Sequence, residues 1–160
     1  MDSRDEPVDI RVKDVLRTKG TLQEDVDVLT ARPNATVYEC IARMVDRDVG
    51  SIVVMEDDEI AGIFTERDYM RNIALKGRTS KETAVRKVMT KEVATVGAET
   101  TLEACLERMT ALNCRHLPVV NAEGRLKDIL SMRDCSEQIL AAAKNEVIQL
   151  RNYVTGGYSV

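Results

Sequence analysis

Two segments of the chain place a hydroxyl residue three positions before an aspartate, directly after an apolar run. They are Thr65-Glu66-Arg67-Asp68 and Ser131-Met132-Arg133-Asp134. The pattern is typical of a helix capping box, in which the hydroxyl and the carboxylate accept hydrogen bonds from free N–H groups of the first turn. The same groups suit a nucleotide, because a helix start attracts phosphate and an ionised carboxylate accepts hydrogen bonds from two ribose hydroxyls. Capping and binding can coexist at both places.

Nucleophilic and metal-binding chemistry has few side chains available in this chain. The four cysteines include no CxxC pair, so they predict small buried side chains rather than a zinc site. Any Ser-His-Asp or Cys-His mechanism would need His116, the single histidine, and Cys114 is the nucleophile closest to it in sequence. Side chains stacked along one strand are seldom aligned for proton transfer. An enzyme is therefore the least favoured interpretation, and no catalytic residue is assigned.

The composition limits the partners. Of 160 residues, 44% are hydrophobic and 31% are charged, which is typical of a soluble globular protein, and no apolar run approaches the ~18 residues of a membrane span. Acidic residues outnumber basic ones by 27 to 23, and only 3% of residues are aromatic, so we expect neither nucleic acid nor a membrane as partner. Residues 1–6 lack the apolar core of a secretory signal. We expect an intracellular protein, cytoplasmic or, if a transit peptide has been removed, in an organelle matrix.

The chain repeats itself. Thr101 follows its counterpart Thr36 by 65 residues (101 minus 36), and Asp134 follows Asp68 by 66 (134 minus 68). Upstream, the segment from Val12 matches the one from Val85 at a spacing of 73 (85 minus 12), so the first copy carries an insertion of eight residues (73 minus 65) at about 20–27. A period this long indicates a duplicated domain rather than a solenoid.

Each copy predicts the same α/β (α+β) unit: a strand, a helix, a hairpin of two strands and a final helix, preceded by a short helical turn. The brief first strand is expected at 28–30 and 93–95, and the first helix behind Thr36 and Thr101. Each unit buries little surface alone, so the two should pack as one pseudo-twofold module. The expected boundaries are 12–75 for the first unit, 76–84 for the linker, 85–143 for the second unit and 144–160 for a helical tail.

With these motifs in place, the chain resembles a tandem cystathionine beta-synthase (CBS) domain pair, also called a Bateman module. In the first copy the resemblance is carried by Asp48-Val49-Gly50-Ser51-Ile52-Val53-Val54 and Ala61-Gly62-Ile63-Phe64-Thr65-Glu66-Arg67-Asp68. In the second it is carried by Arg115-His116-Leu117-Pro118-Val119-Val120 and Ile129-Leu130-Ser131-Met132-Arg133-Asp134. It covers about residues 10–143, and the linker and tail are similar to those of small stand-alone CBS-pair proteins.

This resemblance implies two CBS units packed sheet to sheet and a regulatory adenosine-nucleotide sensor without catalytic chemistry of its own. Ligands would lie in clefts between the copies, with the ribose on an aspartate and phosphates near a hydroxyl. The residues carried over are Asp68 and Asp134 for ribose, Thr65 and Ser131 for phosphate, Thr30, Thr95, Ile52 and Leu117 for adenine, and Gly50, Ser51 and Pro118 on the middle strands. No cofactor or metal is required.

Four further residues keep two interpretations each. His116 either approaches a phosphate or is a core or hairpin residue satisfied by backbone. Arg67 and Arg133 are either phosphate ligands or solvated charges, and Arg78 in the linker either reaches a polyphosphate or belongs to a solvated stretch. The ligand class includes AMP, ADP, ATP, NAD(H) and S-adenosylmethionine, which share adenosine.

The resemblance also implies partners. Ligand binding would pass to an unidentified regulated protein through a shift between two arrangements of the copies. The alternative is a structural dimerisation module without ligand. The tail has an apolar stripe, which predicts contact with the module itself or with a second subunit in a homodimer. The stripe contains Ile139, Ala143, Val147, Leu150 and Val154.

The two clefts are expected to be unequal. The first copy has Gly62 three residues before its hydroxyl, whereas the second has Asp128 at that place. Although strand alternation points Asp128 away from Ser131, an added negative charge makes the nearby potential less favourable for phosphate. The cleft of Thr65 and Asp68 is therefore predicted to bind phosphate more tightly; the alternative is that Asp128 lies in solvent and has no effect.

Overall fold

The computed structural model describes residues 9–22 and 26–156 and shows the predicted duplication. The first copy contains α1 (Val12–Lys19), β1 (Thr30–Ala31), α2 (Val37–Asp46), β2 (Ser51–Glu56), β3 (Glu59–Thr65) and α3 (Glu66–Tyr69), which continues into a π-helical turn (Met70–Ala74). The second contains a 3-10 turn (Val85–Lys87), α4 (Leu102–Leu112), β4 (His116–Val120), β5 (Leu126–Ser131) and α5 (Met132–Gly156).

The sheets have the predicted hairpins. β2 pairs antiparallel with β3, and β4 pairs antiparallel with β5, while β1 lies parallel to β2 as the crossover rule requires. The predicted strand at 93–95 does not form. Its place is taken by one parallel bridge between Val96 and Val119, and the Thr95 carbonyl instead accepts a hydrogen bond from the Arg108 guanidinium at 3.0 Å.

The first long helix of each copy begins where its threonine predicts. The Thr36 hydroxyl accepts from the Glu39 N–H at 3.1 Å, and the Glu39 carboxylate accepts from the Thr36 N–H at 2.9 Å, which closes a capping box. At α4 the Thr101 hydroxyl accepts from the Ala104 N–H at 3.1 Å. These bonds satisfy N–H groups that the first turn leaves free.

The segment that begins each copy packs in the hydrophobic core of the other copy. Val12, Val15 and Leu16 of α1 pack in the core of the second copy, together with α4 and the β4–β5 hairpin. Conversely, Val85 and Val88 pack in the core of the first copy. Each core is thus completed by the other copy, an arrangement that the contiguous boundaries 12–75 and 85–143 do not express.

Both faces of the first sheet are buried. Ile52 and Phe64 belong to the core of their own copy, and both are 0% exposed. Val53 and Ile63 point to the opposite face because strand side chains alternate, yet they are only 0% and 7% exposed. The backbones of Ile63 and Thr90 exchange two hydrogen bonds of 2.9 Å, which join β3 to the segment leading into the second copy. This burial agrees with sheet-to-sheet packing.

The tail is continuous with the last helix of the second copy. α5 runs without a break across the expected boundary at 143, so the predicted helical tail is the outer part of one long helix. All residues from 143 to 156 are exposed, including Val147 at 49% and Val154 at 61%. The predicted apolar stripe therefore lies on a helix that projects from the module; residues 157–160 lie outside the described residues.

Candidate functional site

The first hydroxyl–aspartate pair closes a capping box at the start of α3. The Asp68 Oδ2 atom accepts from the Thr65 N–H at 3.0 Å and from the Thr65 hydroxyl at 3.1 Å, and the Asp68 N–H donates to that hydroxyl at 3.3 Å. The other carboxylate oxygen, Oδ1, accepts from the Thr90 hydroxyl at 3.2 Å. Both oxygens of Asp68 and the hydroxyl hydrogen of Thr65 are therefore engaged.

The second pair closes the equivalent box at the start of α5, with different surroundings. The Asp134 Oδ2 atom accepts from the Ser131 N–H at 2.9 Å, and the Asp134 N–H donates to the Ser131 hydroxyl at 3.0 Å. Lys19 Nζ lies 3.7 Å from the same Oδ2 atom. Among the described residues, none donates a hydrogen bond to Asp134 Oδ1 or accepts one from the Ser131 hydroxyl. Asp134 Oδ1 and the Ser131 hydroxyl hydrogen are therefore available to bind a ligand.

Asp128 is neither solvated nor uncompensated. The residue is only 7% exposed, and its carboxylate shares Lys19 Nζ with the Asp134 carboxylate. Its Oδ2 atom accepts from the Thr21 hydroxyl at 3.0 Å and pairs with Lys19 Nζ at 3.2 Å. The Lys19 cation offsets the charge that Asp128 adds, which weakens the electrostatic reason for expecting a weaker second cleft, and the ranking of the clefts stays a prediction.

Lys19 should matter for stability. Replacing it with alanine leaves the Asp128 carboxylate buried without its cation, and we expect a loss of about 1–2 kcal/mol in the free energy of unfolding, moderated because the Lys19 side chain is 32% exposed. Urea denaturation of Lys19→Ala, Asp128→Ala and the double variant measures the coupling between them. The double variant should lose less than the sum of the single losses; strict additivity would contradict the pairing.

A cleft of about 480 Å³ lies between the two copies and brings together four of the predicted site residues, Gly50, His116, Ser131 and Arg133. Its remaining lining comes from the end of α2 and the loop after it, and from residues next to the predicted ones: Ile41, Met44, Val45, Asp48, Val49, Glu66, Arg115 and Met132. Cross-strand pairing sets its geometry, since His116 is opposite Ser131 on β4 and β5, just as Ser51 is opposite Thr65 on β2 and β3.

His116 occupies the contact between the copies. A side chain added at Gly50 would meet its imidazole at 3.4 Å, so the ring packs over the Gly50 backbone. Burial lowers the pKa of His116 below its ordinary value, and Arg115 acts in the same direction, whereas the carboxylates of Glu66 and Asp134 oppose the shift. The neutral form of this half-buried imidazole is therefore favoured, and the ring lines the cleft.

Acidification should destabilise the protein through His116. Because the folded state holds its pKa below that of the unfolded state, the unfolded state binds more protons once the pH falls below about 6.5. Stability from this residue is complete above that pH and declines as the pH falls toward the folded-state pKa. Urea unfolding at several pH values should give a smaller decline for His116→Gln than for the wild type, and equal declines would contradict this assignment.

Several predicted residues lie away from the cleft. Ile52 and Leu117 are 0% and 1% exposed within the two cores and do not line this cleft, and their place in adenine pockets stays a prediction. Thr30 is paired in β1 and partly buried, and Thr95 and Arg78 are exposed on connecting segments. Ser51 on β2 and Pro118 on β4 are buried, and they lie close in sequence to the cleft residues Gly50 and His116.

The two arginines after the hydroxyl residues differ. Arg67 Nη1 donates to the Asn113 carbonyl at 2.8 Å and to its side-chain oxygen at 3.1 Å, which ties the first copy to the loop after α4. Arg133 instead pairs with Glu137 on its own helix at 3.0 Å and makes no such bridge to Asp48, the counterpart of Asn113. The pseudo-twofold symmetry is therefore broken, and the open cleft is on the Arg133 side.

The cysteine thiols and the placement of possible metal ligands bear on nucleophilic and metal chemistry. Burial raises the pKa of the Cys114 thiol, and it raises the pKa of Cys40 to about 11 and of Cys135 to about 12, which disfavours reactive thiolates. Across residues 9–22 and 26–156, no cluster of His, Cys, Asp or Glu could hold a metal ion. Over the same ranges, no helix is long and apolar enough to cross a bilayer.

Sequence reasoning did not select several cleft residues. Arg115 and Glu66 lie directly beside selected residues, and their charges act on His116. For Arg115 the repeat offers a signal, because Arg115 occupies the position in the second copy that Gly50 occupies in the first (115 minus 65). Lys19 and Thr90 were also missed, since they reach the aspartates from segments far away in the sequence.

Comparison with known proteins shows the family of this chain. A family model described as CBS domain matches residues 12–75 and 85–141. The CBS domain-containing protein CBSX3, mitochondrial, of Arabidopsis thaliana is 35% identical over 152 residues, which cover 92% of this chain and 73% of that protein. A CBS-domain protein of Burkholderia ambifaria is 34% identical, with a TM-score of 0.76 over 82% of this chain and 94% of that one. A CBS domain protein of Pyrobaculum aerophilum, solved in complex with AMP, is 23% identical, with a TM-score of 0.65 over 78% of this chain and 89% of that one. The chain belongs to the CBS domain family and carries the domain twice.

Proposed function

We propose that this chain is a regulatory module that binds an adenosine nucleotide between its two CBS domains. The observation that carries the proposal is the junction of β5 and α5, where Asp134 Oδ1 and the Ser131 hydroxyl hydrogen have no partner among the described residues. A carboxylate oxygen next to a hydroxyl at a helix start can accept ribose hydroxyls and donate to a phosphate. The neighbouring cleft has room and cations, Arg115 and Arg133, for the remainder of a nucleotide.

Asp68 and Thr65 are proposed to bind a second nucleotide less tightly. Binding there must compete with the Thr90 hydroxyl for Asp68 and with Asp68 for the Thr65 hydroxyl. Near Asp134, by contrast, Lys19 offsets the charge of Asp128, so the local charge is not more negative than near Asp68. The proposed order of affinity is therefore the reverse of the order that Gly62 and Asp128 predict from sequence.

The ligand class is supported by the fold and not by a dedicated recognition motif. The Pyrobaculum relative was solved in complex with AMP, and its similarity to this chain lies in the fold. AMP, ADP, ATP, NAD(H) and S-adenosylmethionine share the adenosine that the hydroxyl–aspartate pair would hold. Regulation of a partner protein would follow if the ligand binds one arrangement of the copies better than another, since only a difference in affinity shifts such an equilibrium. The compartment is proposed to be the cytoplasm or an organelle matrix.

A structural dimerisation module without ligand is the competing proposal, favoured by the exposed apolar tail of α5. A thermal-shift panel with the five adenosine ligands, and with GMP as a control base, separates the two. A ligand that binds only the folded state adds about 2.7 kcal/mol of stability at a hundredfold excess over its dissociation constant. We expect at least one adenosine ligand, and not GMP, to raise the melting temperature; no shift with any ligand would favour the structural module.

A further inference from the structure

The linker between the two CBS domains forms an ordered basic surface, away from the nucleotide cleft. It runs along the first turn of α2, where the Tyr38 N–H donates to the Ser80 carbonyl at 3.1 Å and the Val37 N–H to the Thr83 carbonyl at 2.9 Å. The cleft is lined instead by the other end of α2. Six exposed cations of the linker and of the loop before α2 make up the basic surface: Arg32, Lys76, Arg78, Lys81, Arg86 and Lys87.

The charge of the basic surface is not balanced by its surroundings. Among the described residues, no carboxylate forms an ion pair with any of the six cations. Lys81 Nζ lies 4.9 Å from the centre of the Tyr38 ring, and the Arg86 guanidinium donates to the Asn34 side-chain oxygen at 3.0 Å, so both partners are neutral. Residues 76–87 contain five cations and one acid, in a chain with a net charge of −4.

The second copy shows the same place with its charge balanced. Lys13 is the counterpart of Arg86 (86 minus 73), and its ammonium group pairs with Glu99 at 3.1 Å. The counterpart of Glu99 in the first copy is Asn34 (99 minus 65), which is neutral. The residue after Lys13 is an aspartate, whereas the residue after Arg86 is Lys87. The unpaired positive charge therefore results from differences at matched positions of the repeat, and not from the fold that both copies share.

Exposed apolar groups accompany these cations. Leu75 directly precedes Lys76 and is 83% exposed, and Tyr38 is 50% exposed. Arginine and tyrosine are both enriched at interfaces between proteins. An acidic protein segment with an apolar side chain would match both the charge and Leu75, whereas a phosphate backbone or a layer of lipid headgroups would match the charge alone. The net negative charge of the chain also opposes the approach of an extended polyanion.

We propose that the basic surface is a docking site for an acidic segment of a partner protein. Glutamate or aspartate side chains of that segment pair with the unpaired cations, and an apolar side chain between them contacts Leu75. Because the linker joins the two CBS domains, a partner bound there lies where a change in the arrangement of the domains can reach it. Docking does not depend on a bound nucleotide, so its failure would leave the nucleotide proposal intact.

Binding of a defined peptide tests the basic surface in the full-length protein. The probe is a fluorescein-labelled peptide that repeats Glu-Glu-Leu, and fluorescence anisotropy gives its dissociation constant. The wild type should bind it, and Lys76→Glu/Arg78→Glu should raise the dissociation constant about tenfold or more, because two attractive charges become repulsive. The control Lys144→Glu/Arg151→Glu makes the same change in net charge on the exposed outer part of α5. At physiological ionic strength it should change the dissociation constant by less than about twofold, since distant exposed charges are screened.

A milder variant keeps the result decisive if charge reversal impairs folding, which circular dichroism measures. Asn34→Glu gives the first copy the acid that the second copy has as Glu99, so it should pair with Arg86, preserve the fold and raise the dissociation constant about threefold or more. Absence of peptide binding to the wild type, or equal binding by the wild type and the folded variants, would overturn the proposal. Tighter binding of a thymidine oligonucleotide or of phosphatidylserine vesicles than of the peptide would also overturn it.

Discussion

The variant Asp68→Ala/Asp134→Ala is expected to weaken binding of the tightest adenosine nucleotide by about 10-fold to 150-fold at each site. Each substitution removes a carboxylate that would accept charge-assisted hydrogen bonds from ribose, and such bonds contribute ~1.5–3 kcal/mol. Calorimetric titration of the single variants should show a larger loss for Asp134→Ala, because Asp68 already gives one oxygen to Thr90. A larger loss for Asp68→Ala would reverse the proposed order of the sites.

Both aspartates also cap helices, so the control must remove a cap without touching the cleft. Glu39→Ala does so, since Glu39 closes the capping box of α2 on an exposed surface. It should cost about 1 kcal/mol of stability, similar to the capping loss in the aspartate variants, and leave nucleotide affinity unchanged. If Glu39→Ala lowered affinity as much as the aspartate variants, the loss would reflect stability and not lost ribose contacts.

Gly62→Ala is expected to destabilise the protein by about 1–3 kcal/mol, the usual cost of overpacking. A Cβ atom at this position would lie 2.6 Å from Met89 Sδ and 2.8 Å from the Thr90 carbonyl oxygen. The methionine can move, but the Thr90 backbone is held by its paired hydrogen bonds to Ile63. Gly62 therefore permits close approach of the segment at Met89 and Thr90, which leads into the second copy.

Gly97→Ala is the matched control for that substitution. A Cβ atom there would find its nearest neighbour, the Val120 carbonyl oxygen, at 3.9 Å, which is ordinary contact. Its effect should stay within about 0.5 kcal/mol. Chemical denaturation of both variants checks the difference, and equal stabilities would show that Met89 and Thr90 adjust to an added methyl group at little cost.

The sequence predicts the local elements well because their signals are local. Thr36 and Thr101 mark helix starts, and the acidic or glycine-containing turns separate the hairpin strands. Because the two copies repeat the same order of motifs, an element recognised in one copy predicts the same element in the other. This prediction is wrong at 93–95, where the expected strand is reduced to the bridge at Val96, because only one residue there pairs with β4.

The orientation of the middle strands could not be derived in the same way. Residues 51–54 are all buried, so β2 is apolar on both faces and has no alternation to show which residues point to the core. The sequence alone therefore does not show that the Ile52 side chain packs in the core of the first copy, and its adenine role rests on the resemblance. Lys19 was missed for a different reason. It lies near its partner Asp128 only because α1, at the start of the first copy, packs against the second copy.

A crystal structure of the full-length protein with its tightest adenosine nucleotide tests the central claim most directly. The predicted result is a nucleotide between the two CBS domains, with ribose hydroxyls on Asp134 Oδ1 and a phosphate near the Ser131 hydroxyl and Arg115. A nucleotide bound elsewhere, or one between the domains without contact to either Asp134 or Asp68, would contradict it.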